Sequence, residues 1–148
     1  MDKTVTIDGI DGLLDLRDTF EDLVKKYPDR AGELLQKDAR QLRKDVVKET
    51  KKVTKTNSSS KRSLGKVGSY KISPVQGLGA NQFVEVSAKS PHFHLVEHGH
   101  VLKSHDGQTI GFVQGKHMMD NTVKKHQESM PQTVSVMVDE LLKEEGLI

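Results

Sequence analysis

Leu13, Leu16, Phe20, Leu23, Val24 and Tyr27 recur at steps of three and four residues, the spacing that gathers side chains on one helix face, so a short helix is predicted from near Asp11 or Gly12. Pro28 predicts its end. Proline is tolerated in a first turn, so Pro28-Asp29-Arg30 also reads as the start of a second helix, with Asp29 near the positive end of its dipole. That second helix is long: Leu35, Ala39, Leu42, Val46 and Val53 supply an apolar stripe, ragged around Glu49 and Thr50, and its other side is basic. From Thr54 to Ser69 the periodicity stops. Ser and Gly dominate, little can be buried, and a flexible basic loop is predicted at 54–69.

The pattern then changes to period two. Tyr70, Ile72 and Pro74 alternate with polar neighbours, as do Val84, Val86 and Ala88, and Gly77, Gly79 and Asn81 lie between, which predicts a β-hairpin with a generous loop. A third strand is predicted at His92 to Val96 and a fourth at Thr109 to Val113, with Asp106-Gly107 as a turn. Helical spacing returns with Met119, Val123, His126, Met130, Val134, Met137, Val138, Leu141 and Leu142, and Gly146 marks a natural end. Pro131 is expected to kink or split this helix. Helix, helix, strands, helix is not the alternation that builds a parallel sheet. The expected class is α+β, an antiparallel sheet of about four strands with the helices on one face.

A length of 148 residues fits one domain, 1–148. With 30% charged residues and 34% hydrophobic ones, the core must be thin and much surface must stay wet or meet a polar partner. Only 4% of residues are aromatic, which disfavours an apolar, aromatic-lined substrate pocket. No cysteine is present, so disulfides and thiolate chemistry are excluded. The amino-terminal Met1-Asp2-Lys3-Thr4-Val5-Thr6 lacks the apolar core of a signal peptide and no run suits a spanning helix, so neither export nor a membrane partner is expected. Charge is segregated: the first part is acidic, whereas Lys37 to Lys71 carries twelve Lys and Arg against Asp38, Asp45 and Glu49. Such asymmetry favours a polyanion or an acidic protein face as neighbour.

The candidate chemistry is limited. His92, His94, His98, His100 and His105 form a cluster in sequence, and with Glu97 they could supply zinc ligands, but no spacing such as His-Glu-x-x-His is present. They are read as polar strand-edge and turn histidines, with no catalytic residue, resident metal or cofactor assigned. A nucleic-acid-binding module using the basic stretch 37–71 is the alternative function, and a His-rich metal-dependent enzyme a weaker one. Base-stacking aromatics are missing from that stretch, with only Tyr70 nearby. Lys51, Lys52, Lys55, Lys61, Arg62 and Lys66 are the candidate partner-contacting residues of the helix end and loop. His126, on the apolar face of the last helix, is read as a satisfied, partly buried histidine.

One stretch carries a family resemblance. His94-Leu-Val-Glu-His-Gly-His100, then Ile110-Gly-Phe-Val-Gln-Gly-Lys-His-Met-Met119 and a long terminal helix, resembles the tail-completion, or head-to-tail joining, proteins of long-tailed phages. The matching positions are Val96, Glu97, Gly99, Gly115, Met118 and Met119, and the order of elements agrees over roughly residues 12–146. The family's usual Pro-x-x-Thr-Gly-x-Leu stretch is replaced here by Thr56-Asn-Ser-Ser-Ser-Lys-Arg-Ser-Leu-Gly65. The resemblance implies a non-enzymatic virion protein, made in the host cytoplasm and acting at the neck as a six-fold ring. Its implied partners are sister copies, the head-closing stopper, and the tail terminator or tail tube, with non-specific proximity to DNA.

Overall fold

The computed structural model describes residues 9–55 and 63–148. Helix α1 (Gly9–Val53) is followed by a 3-10 turn (Val67–Ser69), strand β1 (Tyr70–Ile72), strand β2 (Val86–Ala88), helix α2 (Phe93–His98), strands β3 (Gly99–Lys103) and β4 (Thr109–Gln114), and helix α3 (Met118–Glu144). The class is α+β. Helices α1 and α3 lie antiparallel: Lys26 pairs with Glu145 and Arg30 with Glu144 at one end, and Lys125 approaches Glu49 at the other.

The two helices predicted to meet at Pro28 are one helix of 45 residues with Pro28 inside it. Proline removes one backbone hydrogen bond and crowds the preceding turn. The residues on both sides of it, Lys26 and Arg30, pair with the end of α3, so the helix runs on through Pro28 where it meets α3. Pro131 likewise neither splits nor ends α3. The predicted α3 stripe holds, with Met137 and Leu141 buried and joined by Met118 and Thr122, and the helix stops as predicted at Gly146, whose φ is 69°.

The core is small. Val46, Val47 and Tyr70 form its centre, with Leu42, Ala88, Phe93 and Met119 packed around them. Around the ragged end of the predicted stripe, Val47 and Thr50 are buried and Val53 is exposed, because the buried face follows the 3.6-residue turn through Ala39, Val46 and Thr50. The Tyr70 hydroxyl lies 3.2 Å from Thr50 Oγ1, so the one polar tip in this centre has a partner.

Among the described residues there are four strands, but as two separate antiparallel hairpins rather than one sheet. In the first, Tyr70 pairs with Ala88, Lys71 with Ser87 and Ile72 with Val86, and a Gln76–Phe83 bridge extends the pairing toward the predicted Gly77–Asn81 loop. In the second, Gly99 pairs with Gln114 and Val101 with Phe112, and Gly107, at φ 78°, closes the predicted turn. The segment predicted as a third strand, His92 to Val96, is instead mostly helix α2. Phe93 packs edge-on against Tyr70 at 6.0 Å, and Glu97 is buried one helical turn later. Partners at i and i+4 select helix over strand for this short segment, and α2 then separates the two hairpins.

Residues 56–62 of the predicted loop, Lys61 and Arg62 among them, lie outside the described residues. The remainder is more ordered than expected. Ser63 and Ser69 are buried, the Ser69 hydroxyl donates to the Ser63 carbonyl, and Lys89 N–H donates to Ser69 O at 2.9 Å.

Candidate functional site

The positions singled out at the end of α2 and the start of α3 meet in one junction. Val96 O accepts the Lys116 N–H at 2.8 Å and Glu97 O accepts the His117 N–H at 3.1 Å. The Glu97 side chain is only 2% exposed, and its carboxylate accepts the N–H of Met119 at 3.1 Å on Oε2 and of Asp120 at 2.9 Å on Oε1. These are amides of the first turn of α3, which have no partner within the helix. His117 occupies the N-cap position and makes no side-chain cap bond. Glu97 therefore supplies from α2 the cap that Ser, Thr, Asp or Asn would ordinarily supply locally, with a negative charge at the positive end of the dipole.

Gly99 and Gly115 make the junction tight. A β-carbon on Gly99, whose φ is 84°, would lie 2.4 Å from Val113 O, and one on Gly115 would lie 2.5 Å from Glu97 O. Met118 is 2% exposed and Met119 packs on the Val46–Tyr70 centre, so the junction is anchored to the core. The arrangement positions the β3–β4 hairpin relative to the α1–α3 pair and contains no nucleophile aligned with a base.

His126 sits between two carboxylates of α1. Its Nε2 is 2.9 Å from Asp45 Oδ2, whereas its Nδ1, 3.4 Å from Asp38 Oδ1, is buried without a hydrogen bond, so the histidine is partly buried as expected but satisfied at one ring nitrogen rather than both. Burial pushes the Asp45 carboxyl up, but hydrogen bonds from His126 and Gln41 and the charges of His126 and Lys48 outweigh it and hold the group below its usual range. A depressed folded value stabilises the fold above the ordinary Asp range of about 3.9, and that contribution disappears as pH falls through the folded value. Asp45→Asn should lower stability at neutral pH by up to about 1 kcal/mol and flatten the acid limb below about pH 4, as read by urea unfolding at several pH values.

Of the basic candidates, Lys61 and Arg62 lie outside the described residues, and the other four are spread along the chain. Lys51 and Lys52 are in the last turn of α1, Lys52 pairs with Glu49 at 2.7 Å, Lys55 follows exposed, and Lys66 precedes the 3-10 turn. The five clustered histidines are also dispersed. His92 and His94 are exposed around α2, His105 is in the β3–β4 turn, and His100 Nδ1 lies 3.5 Å from Leu95 O. Among the described residues, His98 alone of the five joins a compact group of possible ligands, with His117 and Asp120, which sequence spacing does not associate with it.

Two extensions carry exposed apolar side chains. Beyond Lys26, α1 continues past the end of α3 with Leu14, Phe20 and Val24 exposed, and the β3–β4 hairpin exposes Val101, Ile110 and Phe112. The first extension also carries Asp15, Asp18, Glu21 and Asp22, whereas Lys51, Lys52 and Lys55 lie at the opposite end of α1. No helix among the described residues is long and apolar enough to cross a membrane.

The chain matches the HK97-gp10-like family model, described as "Bacteriophage HK97-gp10, putative tail-component", over residues 15–99. That span covers most of α1, the first hairpin, α2 and the Val96, Glu97 and Gly99 side of the junction. No curated protein and no solved structure matches the chain. With more than half of its 148 residues matched, the chain belongs to the HK97-gp10-like family of phage tail components.

Proposed function

We propose that the protein is a non-enzymatic structural subunit of the virion that completes the tail at the head–tail interface, acting as a six-fold ring. The six-fold count and the neighbours, a head-closing stopper on one side and a tail terminator or tail tube on the other, come from the resemblance to tail-completion proteins. The observation that carries the reading is the pair of apolar extensions at opposite ends of the α1–α3 pair. Helix α3 spans 27 residues, which separates the two ends by about 40 Å. Two different surfaces on one subunit are what a head-to-tail contact requires, and such contacts close into rings when the rotation allows.

Charge favours the same arrangement. An acidic arm at one end and a basic helix end at the other attract when copies follow one another, and repel when like ends meet. Exposed apolar side chains on an arm and a two-stranded hairpin add little to the stability of the subunit alone, but they supply contact area for a neighbour.

The test is complementation of a phage lacking the gene. Without the protein, heads and tails should accumulate separately, and the natural chain should restore joined particles seen by electron microscopy. A chain carrying Ile110→Asp and Phe112→Asp should remain folded by circular dichroism, at a cost of about 1–2 kcal/mol because the Phe112 ring lies against Gly99 and aspartate is disfavoured in a strand, yet fail to restore joining. Normal joined particles without the protein would refute the neck role. Full complementation by the double variant would refute the assignment of the hairpin to the subunit contact.

A further inference from the structure

His98 ends α2 and His117 immediately precedes α3, with the β3–β4 hairpin leaving from one and returning to the other. One ligand atom from each of His98, His117 and Asp120 can be chosen so that all three lie within 4.8 Å of one another. His117 Nδ1 is 3.5 Å from Asp120 Oδ2. Zinc bonds of about 2.0–2.1 Å in tetrahedral geometry separate ligand atoms by about 3.3–3.5 Å, so this edge already has the required length. The two rings stand 6.3 Å apart between centroids and are inclined at 66°, so they do not stack face to face.

The supporting backbone is held in place. Glu97, the residue before His98, binds the amide of Asp120 itself at 2.9 Å, and its own carbonyl binds the amide of His117 at 3.1 Å. All three ligand-bearing positions are thus linked through one buried residue, independently of any ion. His117 has left-handed backbone angles, φ 48° and ψ 40°, which residues other than glycine seldom adopt. His98 and Asp120 are exposed and His117 is half-buried, which leaves the group open to solvent on one side.

We propose that His98, His117 and Asp120 form a binding site for a divalent transition metal, with water completing the coordination. Two imidazoles and one carboxylate suit zinc and its neighbours better than magnesium or calcium, which prefer an all-oxygen shell. Bound there, the ion would join the end of α2 to the start of α3 and stiffen the base of the hairpin. This site is separate from the reading of the protein as a tail subunit and does not depend on it.

Equilibrium dialysis of the full chain, free of any histidine tag, against zinc tests the proposal. The expected result is one zinc per chain with micromolar affinity, weakened at least tenfold by His98→Ala or Asp120→Asn. Both substitutions fall at exposed side chains, and circular dichroism checks that each variant remains folded. Zinc should raise the Tm of the natural chain and not that of the His98→Ala variant. Substituting His92, His94 and His105 together by alanine should leave uptake unchanged. Cobalt should give the visible absorption of a tetrahedral centre in the natural chain alone. Absence of saturable uptake, undiminished uptake by His98→Ala and Asp120→Asn, or loss of uptake in the triple variant would overturn the assignment.

Discussion

Glu97→Ala is expected to be among the most damaging single substitutions in the chain, lowering stability by about 3–6 kcal/mol, because it removes two charge-assisted hydrogen bonds of about 1.5–3 kcal/mol each. The amides of Met119 and Asp120 would lose their acceptor at the start of α3, where His117 provides no side-chain replacement. In a chain this size the loss corresponds to a Tm decrease on the order of 10–20 °C, measurable by circular dichroism at 222 nm. Glu97→Gln should fall between the alanine variant and the natural chain, since the amide keeps one acceptor of similar reach but turns a donor toward the other N–H. Glu97→Asp keeps the charge on a shorter stem and should hold at most one of the two bonds. An alanine variant within about 0.5 kcal/mol of the natural chain would show that the capping arrangement contributes nothing.

Gly115→Ala and Gly99→Ala should also be severely destabilising, by roughly 2–6 kcal/mol, because their β-carbons enter space held by backbone and strain or overpacking follows. At Gly115 the added carbon would meet Glu97 O at 2.5 Å, His98 C at 2.6 Å and Gly99 N at 2.9 Å. None of these atoms is the tip of a flexible side chain, so relief requires the hairpin base to move away from α2. Gly99 combines a similar clash with φ 84°, a region disfavoured for alanine. Two controls separate the causes. Gly107 has φ 78° but open space around it, so Gly107→Ala should show only the conformational cost of about 1 kcal/mol. Gly68 has neither a positive φ nor a neighbour within 4 Å, and Gly68→Ala should be close to neutral. Equal effects at Gly107 and Gly115 in urea unfolding would contradict the packing argument.

The junction is partly legible in the sequence. Val96, Glu97, Gly99, Gly115, Met118 and Met119 stood out through a family resemblance, but their spacing in sequence gave no reason for a buried carboxylate. A local clue existed: α3 begins after His117, which is a poor N-cap, so its amides need an acceptor from elsewhere. The grouping of His98 with His117 and Asp120 had no comparable signal, because the hairpin that brings them together also separates them in the chain.

Local sequence by itself determined the buried face of α3, most of that of α1 beyond Pro28 and the first hairpin, through periodicity, and the Asp106-Gly107 turn and the stop at Gly146, through residue type. Each depends on local geometry: repetition along the chain records a helix or strand face, and a glycine records a backbone position with positive φ. Tertiary structure decided what short-range pattern leaves degenerate. Phe93 and Glu97 found partners one turn apart and made α2 a helix, α1 runs through Pro28 alongside α3 as one helix, and the intervening α2 divided the four described strands into two hairpins. The physical reason is that a proline or a six-residue segment shifts local preference by only a few kcal/mol, a difference that packing and buried hydrogen bonds from distant parts of the chain can reverse.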